Sequence, residues 1–111
     1  MNTVEAYRRL IYQTLSDYAS IPYSHGQINS IVIESLDRNH FTIVKEGWNS
    51  QQHIHHCLVH VQIKNDKIWI HFDGTEDSIT ETLVAAGVPK DKIVLAFHPP
   101  HVRKHTEYAI A

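Results

Sequence analysis

The sequence predicts an α+β fold: an antiparallel four- to five-stranded β-meander, with a long N-terminal helix packed on one face and a short second helix. Three observations predict it. Apolar residues recur at helical spacing between Val4 and Tyr18. Four runs of strand-forming residues follow, separated by polar turn residues. A short helical stretch closed by Gly87 then leads into the apolar run Ile93–Phe97.

The first helix is capped by Asn2 or Thr3, with Asn2 and Glu5 at capping-box spacing. Val4, Tyr7, Leu10, Ile11, Leu15 and Tyr18 form one apolar stripe, and Arg8, Arg9, Gln13 and Asp17 fall mostly off it. Pro22 ends the helix near Ser20, because a proline disfavours helical geometry in the residue before it. The strands are Ile28–Asp37, His40–Trp48, His53–Lys64 and Lys67–Asp73, with turns at Arg38-Asn39, Asn49–Gln52 and Asn65-Asp66.

A two-residue turn at Asn65-Asp66 sets the register. Ile63 then faces Ile68, Val61 faces Ile70, Val59 faces Phe72 and His60 faces His71. Carried through the other turns, it places Val44 beside Cys57 and Ile33 beside Val44. One sheet face then carries Ile31, Ile33, Val44, Cys57, Val59, Val61, Ile63, Ile68, Ile70 and Phe72, and the helix packs there. The other is mixed, with Leu36, Phe41, Ile43, Leu58, His60, Gln62, Trp69 and His71. Beyond the sheet, Thr75 caps the second helix, Ile79, Leu83 and Val84 give its apolar side, and Gly87 ends it. Ile93–Phe97 is a fifth, buried-type strand, and 102–111 an extended or loosely helical tail.

The length of 111 residues fits a single domain, 1–111, able to bury a core without staples. A 42% hydrophobic and 20% charged composition is that of an ordinary globular chain. No apolar run approaches a membrane span, and the N-terminus reads as an amphipathic helix rather than a signal peptide. Cys57 is the only cysteine, so a reducing cytoplasm is expected. The net charge of −2 argues against a free-standing nucleic-acid binder. Histidine is the unusual component: ten added protons would bring that charge to +8.

Several residues invite a chemical reading. His60 and His71 are cross-strand neighbours, His56 lies four residues from His60, and Asp73 is near. Together they form a conceivable metal set, but no zinc-finger spacing accompanies them, and hydrogen bonding within a polar interface is the simpler reading. The acidic run Asp73–Asp77 lacks EF-hand spacing and is explained by helix capping. Cys57 reads as a buried small hydrophobe rather than a nucleophile. Arg103 and Lys104 are the best candidates for a nucleic-acid contact, although a solvated tail suits the acidic total better. Trp69, set among Phe41, Leu58, His60 and His71, is expected on a protein–protein surface, the alternative being cover by a second helix.

A distributed set of segments carries a resemblance: Tyr18–Tyr23, Cys57-Leu58-Val59-His60, Lys67–Ile70, Asp73–Asp77, Gly87–Lys90, Ile93–His98 and Val102-Arg103-Lys104. In order and spacing the chain resembles the XisI family over essentially its whole length, departing at His56, where similar sequences carry a small residue. The resemblance implies a controlling factor for excision of the DNA element that interrupts the fdxN gene during heterocyst differentiation in cyanobacteria. It implies no catalytic residues and no cofactor. The expected partners are a XisH-like protein and a second copy of the chain, as a dimer, with nucleic acid engaged only indirectly and no membrane contact.

Overall fold

The structure, a computed structural model, describes residues 3–21 and 27–111. The cap expected from Asn2 or the Thr3 side chain, and the segment 22–26 with Pro22, lie outside what is described. The helical stripe produces α1 (Thr3–Ala19), whose Tyr7, Ile11 and Leu15 are buried and whose Val4, Leu10 and Tyr18 pack beside them. Ile11 and Leu15 are fully buried, each stabilising the fold by about 1.5–3 kcal/mol. A polar clamp sets the helix against the sheet. Arg8 donates through Nε to the Arg38 carbonyl (3.0 Å) and through Nη2 to Asn39 Oδ1 (2.8 Å), while Arg38 Nη2 lies 3.2 Å from Glu5 Oε1.

Strands β1 (Gln27–Glu34), β2 (His40–Asn49), β3 (Gln52–Lys64), β4 (Lys67–Asp73) and β5 (Ile93–Leu95) form one sheet in sequence order. Asn65 and Asp66 both take positive φ, 53° and 61°, as a two-residue hairpin turn of the primed type requires. The register next to that turn follows: Ile63 pairs with Ile68 and Val61 with Ile70. Val44 pairs with Cys57 as expected, whereas Ile33 pairs with Thr42, and Val44 with Ile31.

Two irregularities redistribute the faces. The β3–β4 register shifts between His60 and Val61, leaving His71 as the extra residue, so His60 faces Phe72 and Val59 faces Asp73. The β2–β3 register shifts between Ile43 and Val44, leaving Leu58 extra. The inner face, under α1, is Phe41, Ile43, Val59, Val61, Ile63, Ile68 and Ile70, all buried. Phe41 and Ile43, expected on the mixed face, are fully buried there. Ile31, Ile33 and Phe72, expected under the helix, are 42, 48 and 50% exposed on the opposite face, and Cys57 is exposed with them.

The sheet is mixed rather than wholly antiparallel, because β5 runs parallel to β4. A parallel neighbour needs a crossover, and α2 (Ile79–Ala85) provides it. The α2 cap is Ser78, whose Oγ accepts from the Glu81 N–H, rather than Thr75. Asp73 organises the approach: its carboxylate accepts from the Thr75 N–H and hydroxyl and from the Ile79 N–H (2.8 Å). Gly87, at φ 110°, closes α2, with its own N–H on the Val84 carbonyl and that of Val88 on Leu83. A short helix α3 (Pro100–Arg103) follows, and Ala109 bridges to Val94. Among the described residues no helix is long and apolar enough to cross a membrane.

Candidate protein-interaction face

Among the described residues no helix packs on the outer face of the sheet, and Ile31, Ile33 and Phe72 are about half exposed there. Alternation along the strands, reset at the two irregularities, places Ile31, Ile33, Val44, Cys57, His60, Trp69, His71 and Phe72 on that face. Apolar residues that remain about half exposed side by side on a sheet are characteristic of a binding surface. Histidines enrich the same face. His40, His53, His55, His60 and His71, half of the ten in the chain, lie there.

Three of these histidines form a connected group. His40 Nδ1 and His60 Nε2 are 3.0 Å apart, the His60 and His71 ring centroids 4.8 Å, and His71 Nε2 donates to Gln62 Oε1 at 2.7 Å. The His40–His60 bond needs a lone pair on one ring, so it is lost once both are imidazolium. Trp69 borders the group; its Nε1 donates to the Lys64 carbonyl (3.0 Å), and Lys64 Nζ and the Arg103 guanidinium lie 4.8 and 5.6 Å from its ring. At the other end of the face the Trp48 and His53 rings stand 4.7 Å apart.

Burial pushes the His60 imidazole below its ordinary value, and His40 adds to the shift. Burial does the same to His71, reinforced by His60, His40, Lys64 and Arg103. The unfolded chain therefore takes up protons at a higher pH than these folded rings. Their contribution to stability is complete above the unfolded value near 6.5 and declines as pH falls through it towards the lower folded values. Tm should accordingly be lower at about pH 5.5 than at about pH 7.5, with a smaller difference in a His60→Gln/His71→Gln variant. Melting curves across that range check this; an unchanged pH dependence in the variant would contradict it.

The residues singled out from sequence separate into two groups. His60, His71 and Trp69 come together on the outer face. Phe41 lies in the core, and Leu58, displaced at the irregularity, is half-buried against it. His56 is also carried to the inner side, opposite Lys45, where a cleft of about 460 Å³ lies between the end of α1 and the sheet. His56 therefore does not converge with His60 and His71, and among the described residues no three His, Cys, Asp or Glu side chains are placed to hold a metal. Arg103 is engaged internally, donating to the carbonyls of His98 (2.8 Å), Ile110 (3.3 Å) and Ala96 (3.4 Å), while Lys104 is exposed. Sequence reasoning missed His40 and Phe72. The alternation His40-Phe41-Thr42-Ile43 was the signal available for the first, whereas Phe72 depended on an irregularity with no such signal.

A profile of the family described as XisI protein matches residues 1–110. Among solved structures, a XisI-like protein from Anabaena variabilis superposes with a TM-score of 0.88 at 34% identity, covering 99% of this chain and 100% of that one. The fdxN element excision controlling factor XisI from the same organism superposes with a TM-score of 0.82 at 31% identity, again covering 99% and 100%. No match was found among curated proteins.

Proposed function

The chain belongs to the XisI family, and from that premise we propose that it is a non-enzymatic controlling factor of programmed DNA excision, acting in the cytoplasm by binding a XisH-like protein on its outer sheet face. A similar protein is named as an fdxN element excision controlling factor, which supports the role. The observation that carries the binding reading is the uncovered face itself, where Phe72 is half exposed beside the histidine group and Trp69. Aromatic side chains ringed by polar groups are the usual anchors of protein interfaces. The internal bonds of Arg103 and the divergence of His56 favour this reading over a DNA-binding module or a metal-dependent enzyme.

Co-purification tests it. A tagged chain should recover a neighbouring XisH-like protein from a co-expressing cell, and Trp69→Ala should reduce that recovery at least about tenfold, as loss of an interface anchor does. Equal recovery by both chains would remove this face from the mechanism.

A further inference from the structure

The two edges of the sheet are finished differently. Beyond β5, Ala109 bridges to Val94 and donates its N–H to the Ile93 carbonyl (2.8 Å), so the C-terminal segment covers that edge. On the far side of β1 no strand pairs among the described residues. Two bonds fix which backbone groups this edge presents. The Ser35 N–H donates to the His40 carbonyl (2.9 Å), and the Ile63 N–H to that of Asn39 (2.7 Å). Even-numbered residues of β2 therefore bond towards β1 and odd-numbered ones, up to the irregularity, towards β3. Since Ile33 pairs with Thr42 and Ile31 with Val44, the odd residues of β1 serve β2, and Ile28, Ser30, Val32 and Glu34 turn their N–H and C=O groups outward. Such edges are normally blunted by proline, lysine or a bulge. Strand β1, Gln-Ile-Asn-Ser-Ile-Val-Ile-Glu, has no proline or lysine, and its register with β2 is unbroken.

We propose that β1 pairs antiparallel with β1 of a second copy of this chain, about a two-fold axis at Val32, joining two five-stranded sheets into one. The second copy is singled out by self-complementarity. With the axis at Val32, Ile31 faces Ile33 of the second copy and Ile33 faces its Ile31, covering side chains that are 42 and 48% exposed in the monomer. On the inner side Ser30 faces Glu34 of the second copy. Lys45 Nζ donates to Ser30 Oγ at 2.7 Å, so an ammonium stands where that carboxylate arrives. Moving the axis to Ile31 sets Ile33 against Asn29 and the Glu34 carboxylate against Ile28; moving it to Ser30 sets Ile33 against Gln27. Only the Val32 axis matches apolar with apolar and acid with base, twice over by symmetry.

Sedimentation velocity of the untagged chain over a concentration series tests this. The wild type should show twice the 12.8 kDa monomer mass. Ser30→Pro removes an N–H that β2 does not use, so the variant should keep its circular dichroism spectrum and sediment as a monomer. A wild type that stays monomeric at every concentration, or a folded Ser30→Pro variant that still dimerises, would overturn the proposal. Val32→Cys in a Cys57→Ser background keeps it testable should Ser30→Pro fail to fold. The two-fold places the new cysteines about 5.5 Å apart at Cα, within disulfide range, so mild oxidation should give a covalent dimer. Failure to cross-link while folded would equally overturn it.

Discussion

Phe41→Ala should lower the unfolding free energy by about 3–5 kcal/mol, measured as a fall in the urea midpoint at unchanged slope. Phe41 is fully exposed to the core and not at all to solvent, paired across the sheet with Val61 in the cluster formed by α1, β2, β3 and β4. Truncation removes the ring from a site that neighbouring fixed strands cannot close, so the cavity cost adds to the lost burial. The same variant discriminates between the two faces. Had Phe41 lain on the partner surface, its removal would cost little stability and much binding. A change below about 1 kcal/mol with loss of partner recovery would reverse the assignment of faces.

Gly47→Ala should be the most damaging one-carbon change, on the order of 3 kcal/mol. A Cβ built there would stand 1.9 Å from the Gln27 carbonyl oxygen, 2.8 Å from Ile28 Cα and 2.9 Å from the Gln27 carbonyl carbon. All three are backbone atoms of β1, so no side-chain rotation relieves the clash, and Gly47 has a φ of 152°. The start of β1 must therefore separate from β2 in the variant. Thermal melting should show the loss, and amide exchange should place it at the Gln27–Asn29 end of β1. A melting temperature equal to wild type would contradict the close approach of these two strands.

Helix α1 and the β3–β4 hairpin were legible in the sequence because each has a local physical cause. The stripe from Val4 to Tyr18 admits one buried face, and Asn65-Asp66 admits one tight turn, so the pairing of Val61 with Ile70 followed. The closing of α2 at Gly87 was legible for the same reason. Register carried across several strands was not, because a bulge adds one residue with no local sign, and one residue turns a strand over. The extra residues at Leu58 and His71 thus moved Cys57 and Phe72 to the open face. For β2 the information was present in its own alternation, Phe41 and Ile43 apolar against His40 and Thr42 polar, and the alignment imposed from β3 overrode it. The parallel placement of β5 depends on the path of α2 over the sheet, which hairpin reasoning does not reach.

Of the open face, the placing of Trp69, His60 and His71 on one side of the sheet was legible in the sequence. The half-exposed apolar neighbours Ile31, Ile33 and Phe72 came only with the structure.

Hydroxyl-radical labelling of side chains, with and without the XisH-like protein, tests the binding claim directly. Phe72 on the open face and Tyr12 on the solvent side of α1 are exposed to a similar degree, 50 and 49%, and report on opposite sides of the molecule. Binding should protect Phe72 and Trp69 and leave Tyr12 labelled as before. Protection of Tyr12 with Phe72 unchanged would contradict the account and place the partner on the helical side.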